Sequence, residues 1–458
     1  MINQTSHPIG RSGRTVAAIV PAIAFALAGA CLHSPPSHAA GMSTHAFMAD
    51  YGRKALPEGP LKALLTVHRP TLIAGALNPD GGYGSGAAFP SDREMAERSH
   101  WGDFTDSFIK YLRTKTTCPA EARAYVSNYV VTNTTGVFNP VGLSEKCGRL
   151  IAYLFGNAAH GLTDESWDVL FEPNVRERNE DPNPFAFINN QKVFGPFTPG
   201  PQLKTAIGEE GYGQLSNLFG ATPLNALEYA GDIIGITDHF IWADTPIIET
   251  PPTADLVEVH KINRPKQGVT AEAIERAHLV ARSAVLAERS GAAVEAVRIK
   301  NQLPWLANNY FTGPGGVVDS GTMVSAMYQQ WWEELIEDAN NPVTTPFIAG
   351  VHPRNGARNV SRLKTSAGLN IAAFTGRNVK PSSVSPQTFV LLDEDGNRVP
   401  GETKVGIYNP DFTHLMRFFP KDDLKPNHTY TVIVSAAVQD TRDRKLGKAH
   451  TWRFMTGK

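Results

Sequence analysis

The stretch SEKCGRLIAYLFGNAAHGLTDESWDVLF, residues 144–171, decides how the rest of the chain is read. Ser144 is a helix N-cap residue, and the residues after it predict one long helix. His160, Asp164 and Asp168 recur at a spacing of four, which stacks them on one face of that helix. The upstream part is strongly apolar, so the face is expected to point inward. A buried imidazole beside two carboxylates needs compensating charge or hydrogen bonds, and a divalent cation supplies them. Capping, surface charge or a satisfied core histidine explains the same triplet without an ion.

On either side, residues 41–340 read mainly as helices joined by Gly/Pro/Asn-rich connections. Thr270 opens a long run of good helix formers with apolar positions three or four apart, and MVSAMYQQWWEELIEDA predicts another helix. Trp331 and Trp332 in that helix are read as core, with an interfacial lipid contact as the alternative. In NALEYAGDIIGITDHF, Glu228 and Asp232 again stand four apart, a pattern that a solvated acidic face also produces. Residues 176–225 are rich in Asn, Pro, Gly and Phe and read as an extended loop. Asp80 stands in a Pro/Gly-rich stretch, LNPDGGYGSG, that reads as a turn and lacks the lysine of a phosphate loop. After Asn340-Asn341-Pro342 the pattern changes: TFVLLD, HLMRFFP, YTVIVS and TWRFMT alternate at period two between turns such as Asp395-Gly396-Asn397. The expected fold is therefore a mainly α domain over residues 40–340, then a small all-β sandwich over 346–458, with the boundary near 341–345.

The chain has 458 residues, with 43 Lys+Arg against 44 Asp+Glu, so no cationic excess is available for a polyanion and no nucleic-acid partner is expected. Its length suits about three domains, or one large helical domain and a small one. A basic start, an apolar run from Thr15 to Ala30 containing Pro21, and a small-residue exit predict a signal peptide over 1–39 and export to the periplasm or medium. Cleavage after Ala39 is preferred over a lipoprotein box at Cys31, because Ala28 stands where such boxes usually carry Leu. No later segment is apolar enough to span a membrane. Cleavage leaves two cysteines, Cys118 and Cys147, expected to form a disulfide, with two buried free thiols as the alternative.

In order, STHAFMADYGRKAL, LLTVHRPTLIAGALNPDGGY, ERSHWGDF, EKCGRLIAYLFGNAAHGLTDESWDVLF and ALEYAGDII resemble the catalytic domain of glycosylphosphatidylinositol-specific phospholipase D. More distantly they are similar to bacterial zinc-dependent phospholipase C and the related single-strand nucleases. The resemblance implies a helical, phospholipase C/P1 nuclease-like domain with up to three clustered zinc ions. It implies metal-site positions at His45, Asp80, His100, His160, Asp164, Asp168, Glu228 and Asp232, with Asp80 also the water-orienting group or base and Asp164 a bridging carboxylate. It further implies a metal contact from the amino group of the mature N-terminus, which cleavage after Ala39 would place on Ala40. Asp168 and Glu228 depart from the family, which carries histidines there, so one site would be harder and would favour magnesium, manganese or calcium over zinc. His239 is a candidate substitute nitrogen ligand. PFIAGVHPRNGARNV and the strands that follow resemble a bacterial immunoglobulin-like domain of the surface-protein type.

Together these readings predict an exported metal-dependent phosphodiesterase acting on phospholipid or glycosylphosphatidylinositol head groups at a membrane surface. A non-catalytic surface or adhesion protein that uses the helical domain as a scaffold is the alternative, and a single-strand nuclease a lesser one.

Overall fold

A computed structural model describes residues 41–85, 89–129, 142–179, 223–243, 248–338, 347–407 and 413–458. The predicted signal peptide, Ala40, Cys31, most of the segment 176–225 and the boundary at 341–345 lie outside the described residues. The first part is helical: α1 (Met42–Ala55), α2 (Pro60–Val67), α3 (Arg69–Ser85), α4 (Pro90–His100), α5 (Gly102–Lys115), α6 (Cys118–Asn128) and α7 (Glu145–Ser166). A π-helical turn (Trp167–Phe171) leads into α8 (Glu172–Arg178), and α9 (Pro223–Asp238), α10 (Thr253–Asn263), α11 (Ala271–Gln302), α12 (Pro304–Asn309) and α13 (Val317–Ile336) follow.

Capping chemistry sets the start of both long helices. Ser144 accepts a hydrogen bond from Cys147 N at the head of α7, and Thr270 accepts one from Ala273 N at the head of α11. Cys118, which opens α6, and Cys147, in the first turn of α7, form a disulfide. Trp331 and Trp332 are buried in the core, as the core reading expects.

The Pro/Gly-rich stretch around Asp80 is not a turn. Residues 69–85 form the continuous helix α3, with Pro79 inside it. Low intrinsic propensity is overridden here by close packing. A Cβ added to Gly75 would overlap the Tyr153 backbone, one on Gly156 the Leu72 backbone, and one on Gly81 the Ala277 backbone. The glycines therefore press α3 against α7 on one side and α11 on the other, and that contact draws Asp80 towards His160.

The C-terminal part is a sandwich of two four-stranded sheets: β1 (Ile348–His352), β2 (Ala357–Val360), β3 (Ile371–Thr375), β4 (Phe389–Leu392), β5 (Gly401–Val405), β6 (Leu415–Pro420), β7 (Thr429–Val434) and β8 (His450–Thr456). The orders are β1-β3-β6-β5 and β2-β8-β7-β4, with β2 and β8 parallel and the other pairs antiparallel. Ile371, Ala373, Met416 and Phe418 face Phe389, Val432, Trp452 and Phe454 across the sandwich core. The opposite face of the first sheet is buried too: Ala372, Phe374 and Leu415 join the helical core with Met323 and Trp331 of α13. The sandwich is thus docked on the helices through β3 and the start of β6, which are buried on both faces. Among the described residues no helix is long and apolar enough to cross a membrane.

Candidate metal centre

Five predicted residues meet at one point. His45 comes from α1, Asp80 from α3, His100 from the end of α4, and His160 and Asp164 from α7. Their ligand atoms form two overlapping triplets, His45/Asp80/His160 and His100/His160/Asp164, each with atoms within 4.8 Å of one another. His45 Nε2 lies 2.9 Å from Asp164 Oδ1 and 3.9 Å from Asp80 Oδ2. His100 Nε2 is 3.2 Å from Asp80 Oδ1 and 3.9 Å from Asp164 Oδ2. His160 Nε2 is 3.7 Å from Asp80 Oδ1 and 3.5 Å from Asp164 Oδ2. The rings themselves are packed: His45 stacks on His160 at 3.9 Å between centroids, and His100 meets His160 edge-on at 4.5 Å.

The far nitrogen of every ring is held by the protein. Nδ1 of His100 lies 2.7 Å from the Ala96 carbonyl oxygen, and Nδ1 of His160 lies 2.7 Å from that of Ala76. A carbonyl only accepts, so both Nδ1 atoms carry the proton and both Nε2 atoms face the centre. His45 Nδ1 lies 2.7 Å from Thr163 Oγ1, whose own hydroxyl donates to the His160 carbonyl oxygen. The hydroxyl proton is thus committed, which leaves Oγ1 to accept from His45. This outer-shell pattern fixes ring orientation at metal sites. Thr163 was not legible as functional in the sequence; its only signal is its place one residue before Asp164.

Burial gives the centre its electrostatics. His45 and His160 side chains are fully buried, His100 and Asp164 nearly so, and Asp80 is the most open at 12% exposure. Access to the centre therefore runs past Asp80. Burial, reinforced by His45, keeps His160 well below the usual imidazole range and hence neutral, the form that ligates. Burial alone would raise Asp80, but His160, His100 and His45 pull it down to about 2. For His100, burial is outweighed by the hydrogen bond to Asp80 and the charge of Asp164, and its pKa rises.

The donors fit a zinc-type ion. Three imidazole nitrogens and two carboxylates are a borderline-soft set that suits zinc. Bonds of about 2.0–2.2 Å to one tetrahedral ion separate donors by roughly 3.3 Å, close to the spacings here. His160 Nε2 is buried and makes no hydrogen bond, which a ligated nitrogen would not need.

The remaining predicted positions belong to neither triplet. Asp168, expected on the face of His160 and Asp164, belongs to neither triplet and stands in the π-turn that begins at Trp167. Asp232 lies within electrostatic reach of His45 but caps α1, accepting from Thr44 N at 2.7 Å and Thr44 Oγ1 at 2.6 Å. Burial pushes Asp232 up to about 6, and the neighbouring Glu288 of α11, unforeseen in the sequence, is raised by burial and by Asp232. Glu228, one turn earlier on α9, belongs to neither triplet. His239 belongs to neither triplet, and its ring stacks on Phe311 at 4.7 Å and on Tyr310 at 5.7 Å. Ala40 lies outside the described residues.

The helical body and this donor set define a protein with a candidate multi-histidine metal centre and an appended β-sandwich. Residues 342–456 match the family model of the bacterial Ig-like domain, in agreement with the two-sheet fold. Part of the chain is similar to phosphatidylinositol-glycan-specific phospholipase D: 28% identity over 141 residues with the Rattus norvegicus and Mus musculus proteins, and 27% over 143 residues with that of Bos taurus. These matches span 29–30% of this chain and 14% of each relative, so the chain covers only a small share of those proteins. Among solved structures, domains 1-6 of the surface layer protein SbsC align with 77% of this chain and 46% of that one, at 11% identity and a TM-score of 0.20. The N-terminal part of SbsC gives 13% identity and the same TM-score, covering 77% of this chain and 79% of that one. Scores at that level carry no argument about fold or function.

Proposed function

We propose that the chain is an exported, zinc-dependent phosphodiesterase that hydrolyses phospholipid or glycolipid head groups. The observation that carries the reading is the convergence of three imidazole Nε2 atoms on two carboxylates, with every Nδ1 held by the protein. The partial similarity to phosphatidylinositol-glycan-specific phospholipase D supports the substrate class. Export is supported by the Cys118–Cys147 disulfide, which persists in oxidising compartments, and by the signal-like N-terminus.

His45, Asp80, His100, His160 and Asp164 would hold zinc. Bound zinc supplies Lewis acidity for the phosphoryl oxygens and lowers the pKa of water towards about 7. The chain's own residues do the rest. Asp80, ionised at neutral pH and on the open side, accepts a hydrogen bond from the attacking water and orients it. Asp164 neutralises charge at the floor of the site, between His45 and His100. The Nδ1 anchors of the histidines keep the donors fixed, so little reorganisation accompanies the reaction.

The test is elemental analysis of the purified protein, then hydrolysis assays on phosphatidylcholine, a glycosylphosphatidylinositol-anchored protein and single-stranded DNA. Bound zinc with turnover of a lipid substrate is expected. His160→Ala should lose zinc and lower turnover by more than the roughly 10–100-fold typical of outer-shell changes. A protein that stays metal-free after zinc supplementation and cleaves none of the three would favour the scaffold reading. The engagement of Asp232 with Thr44 is the observation on that side.

A further inference from the structure

We infer that the bacterial Ig-like domain is a working part of the metal centre, and that Glu165 is the positioning residue through which it acts. The inference rests on the metal-centre reading above. Glu165 follows Asp164 on α7, is buried, and points away from the centre into the sandwich. Its carboxylate accepts from Thr413 Oγ1 and, at 2.8 Å, from His414 N, at the entry to β6.

That entry is itself rigid. Thr375 N donates to the His414 carbonyl oxygen at 2.7 Å, and His414 Nδ1 lies 2.9 Å from the Thr375 carbonyl oxygen. One helical turn beyond Glu165, Asn370 Nδ2 donates to the Val169 carbonyl oxygen. The sandwich therefore grips α7 and its continuation at residues 165 and 169, on both sides of the change from α to π geometry at Trp167. Helix ends fray, and a π-turn is a local departure from the α hydrogen-bond ladder. Asp164 stands directly before this junction, so axial or rotational slip of the last turn of α7 would move its carboxylate away from His45 and His100. A misplacement of about 1 Å at a reacting centre can cost roughly 100-fold in rate.

Other contacts between the two parts fix the docking without touching the metal helix. Asp106 of α5 accepts from Asn378 Nδ2 and Thr441 Oγ1, both at 3.2 Å. Asp106 therefore provides the control. In the full-length protein, Glu165→Ala, Glu165→Gln, Thr413→Val and Asp106→Ala are compared by zinc affinity from chelator competition, by kcat and KM, and by thermal midpoint.

Glu165→Ala should weaken zinc binding by roughly 10–100-fold and lower kcat with KM unchanged. Glu165→Gln, which keeps one acceptor, should restore most of the affinity. Asp106→Ala should lower the thermal midpoint but leave zinc affinity and kcat at the wild-type values. Should Glu165→Ala fail to fold, Thr413→Val carries the same readout with a smaller effect. Wild-type zinc affinity in Glu165→Ala, or an equal loss in Asp106→Ala, would overturn the inference. A wild-type protein that binds zinc but cleaves no substrate would refute the proposed activity alone, because the zinc affinities still judge Glu165. A wild-type protein that binds no zinc would overturn both.

Discussion

Glu334 of α13 is the most demanding electrostatic contact between the helices and the sandwich, and its removal has a calculable cost. Its side chain is 1% exposed and faces three guanidinium groups: Arg377 Nε at 3.3 Å, Arg444 Nη2 at 2.7 Å, and Arg442. At an effective dielectric near 20, one pair at that separation is worth about 5 kcal/mol before desolvation is subtracted. Arg444 and Arg442 keep second acidic partners in Asp440 and Asp106. Arg377, by contrast, has Glu334 as its ion-pair partner, and burial has already pushed its pKa down to about 10. Glu334→Gln therefore removes the ion-pair partner of a buried cation, leaving only the longer-range pull of Asp440, Glu333 and Glu337, and should destabilise the protein by about 3 kcal/mol, the low end for breaking one side of a buried pair. Glu334→Leu combined with Arg377→Leu removes both charges and should recover more than half of that loss. Urea unfolding followed by tryptophan fluorescence reads both, since Trp331 and Trp332 lie on α13 and Trp452 in the sandwich. The single-variant penalty should persist at 0.5 M salt, because screening acts weakly on buried pairs. A single-variant loss below about 0.5 kcal/mol, or a double variant whose cost equals the sum of its parts, would refute the reasoning.

The Cys118–Cys147 disulfide spans 29 residues, and in the chain-entropy model a loop of that size contributes about 3–4 kcal/mol. The Cys118→Ala/Cys147→Ala variant should lose that much in urea unfolding, and a loss under 1 kcal/mol would reject the estimate. His260, buried against Phe104, has its pKa pushed down to about 3 by burial. The folded state thus holds fewer protons than the unfolded chain, whose histidine titrates near 6.5, so stability is complete above that pH and falls as acid is added. The loss is about 2 kcal/mol at pH 5, and His260→Leu should flatten the thermal midpoint between pH 7 and 5; an unchanged slope in the variant would count against it.

Much of the fold was legible because local chemistry and global packing agree. Ser144 and Thr270 are good caps in front of helix formers, and both start helices where the sequence places them. Strands β4, β6, β7 and β8 fall on the four period-two runs, and the β-sandwich follows from their spacing. Five of the expected ligand positions converge because His160 and Asp164 share a regular helix and the motifs around His45, Asp80 and His100 are packed against it.

What was not legible depends on backbones meeting at long range. The glycines near Asp80 read as a turn, since nothing local reveals that Tyr153 and Ala277 press them into a helix. The switch from α to π geometry at Trp167, just before Asp168, has no composition signal of its own. Glu165 is the clearest case. In DESW it looks like one more solvated acid beside Asp164, and its partners Thr413 and His414 lie 248 and 249 residues away. A carboxylate is buried at such a position only when donors are built to meet it, because an unpaired buried charge costs several kcal/mol. The donors come from the sandwich, so the burial of Glu165 and the docking of the second domain are one event. Periodicity along either segment alone could not contain it.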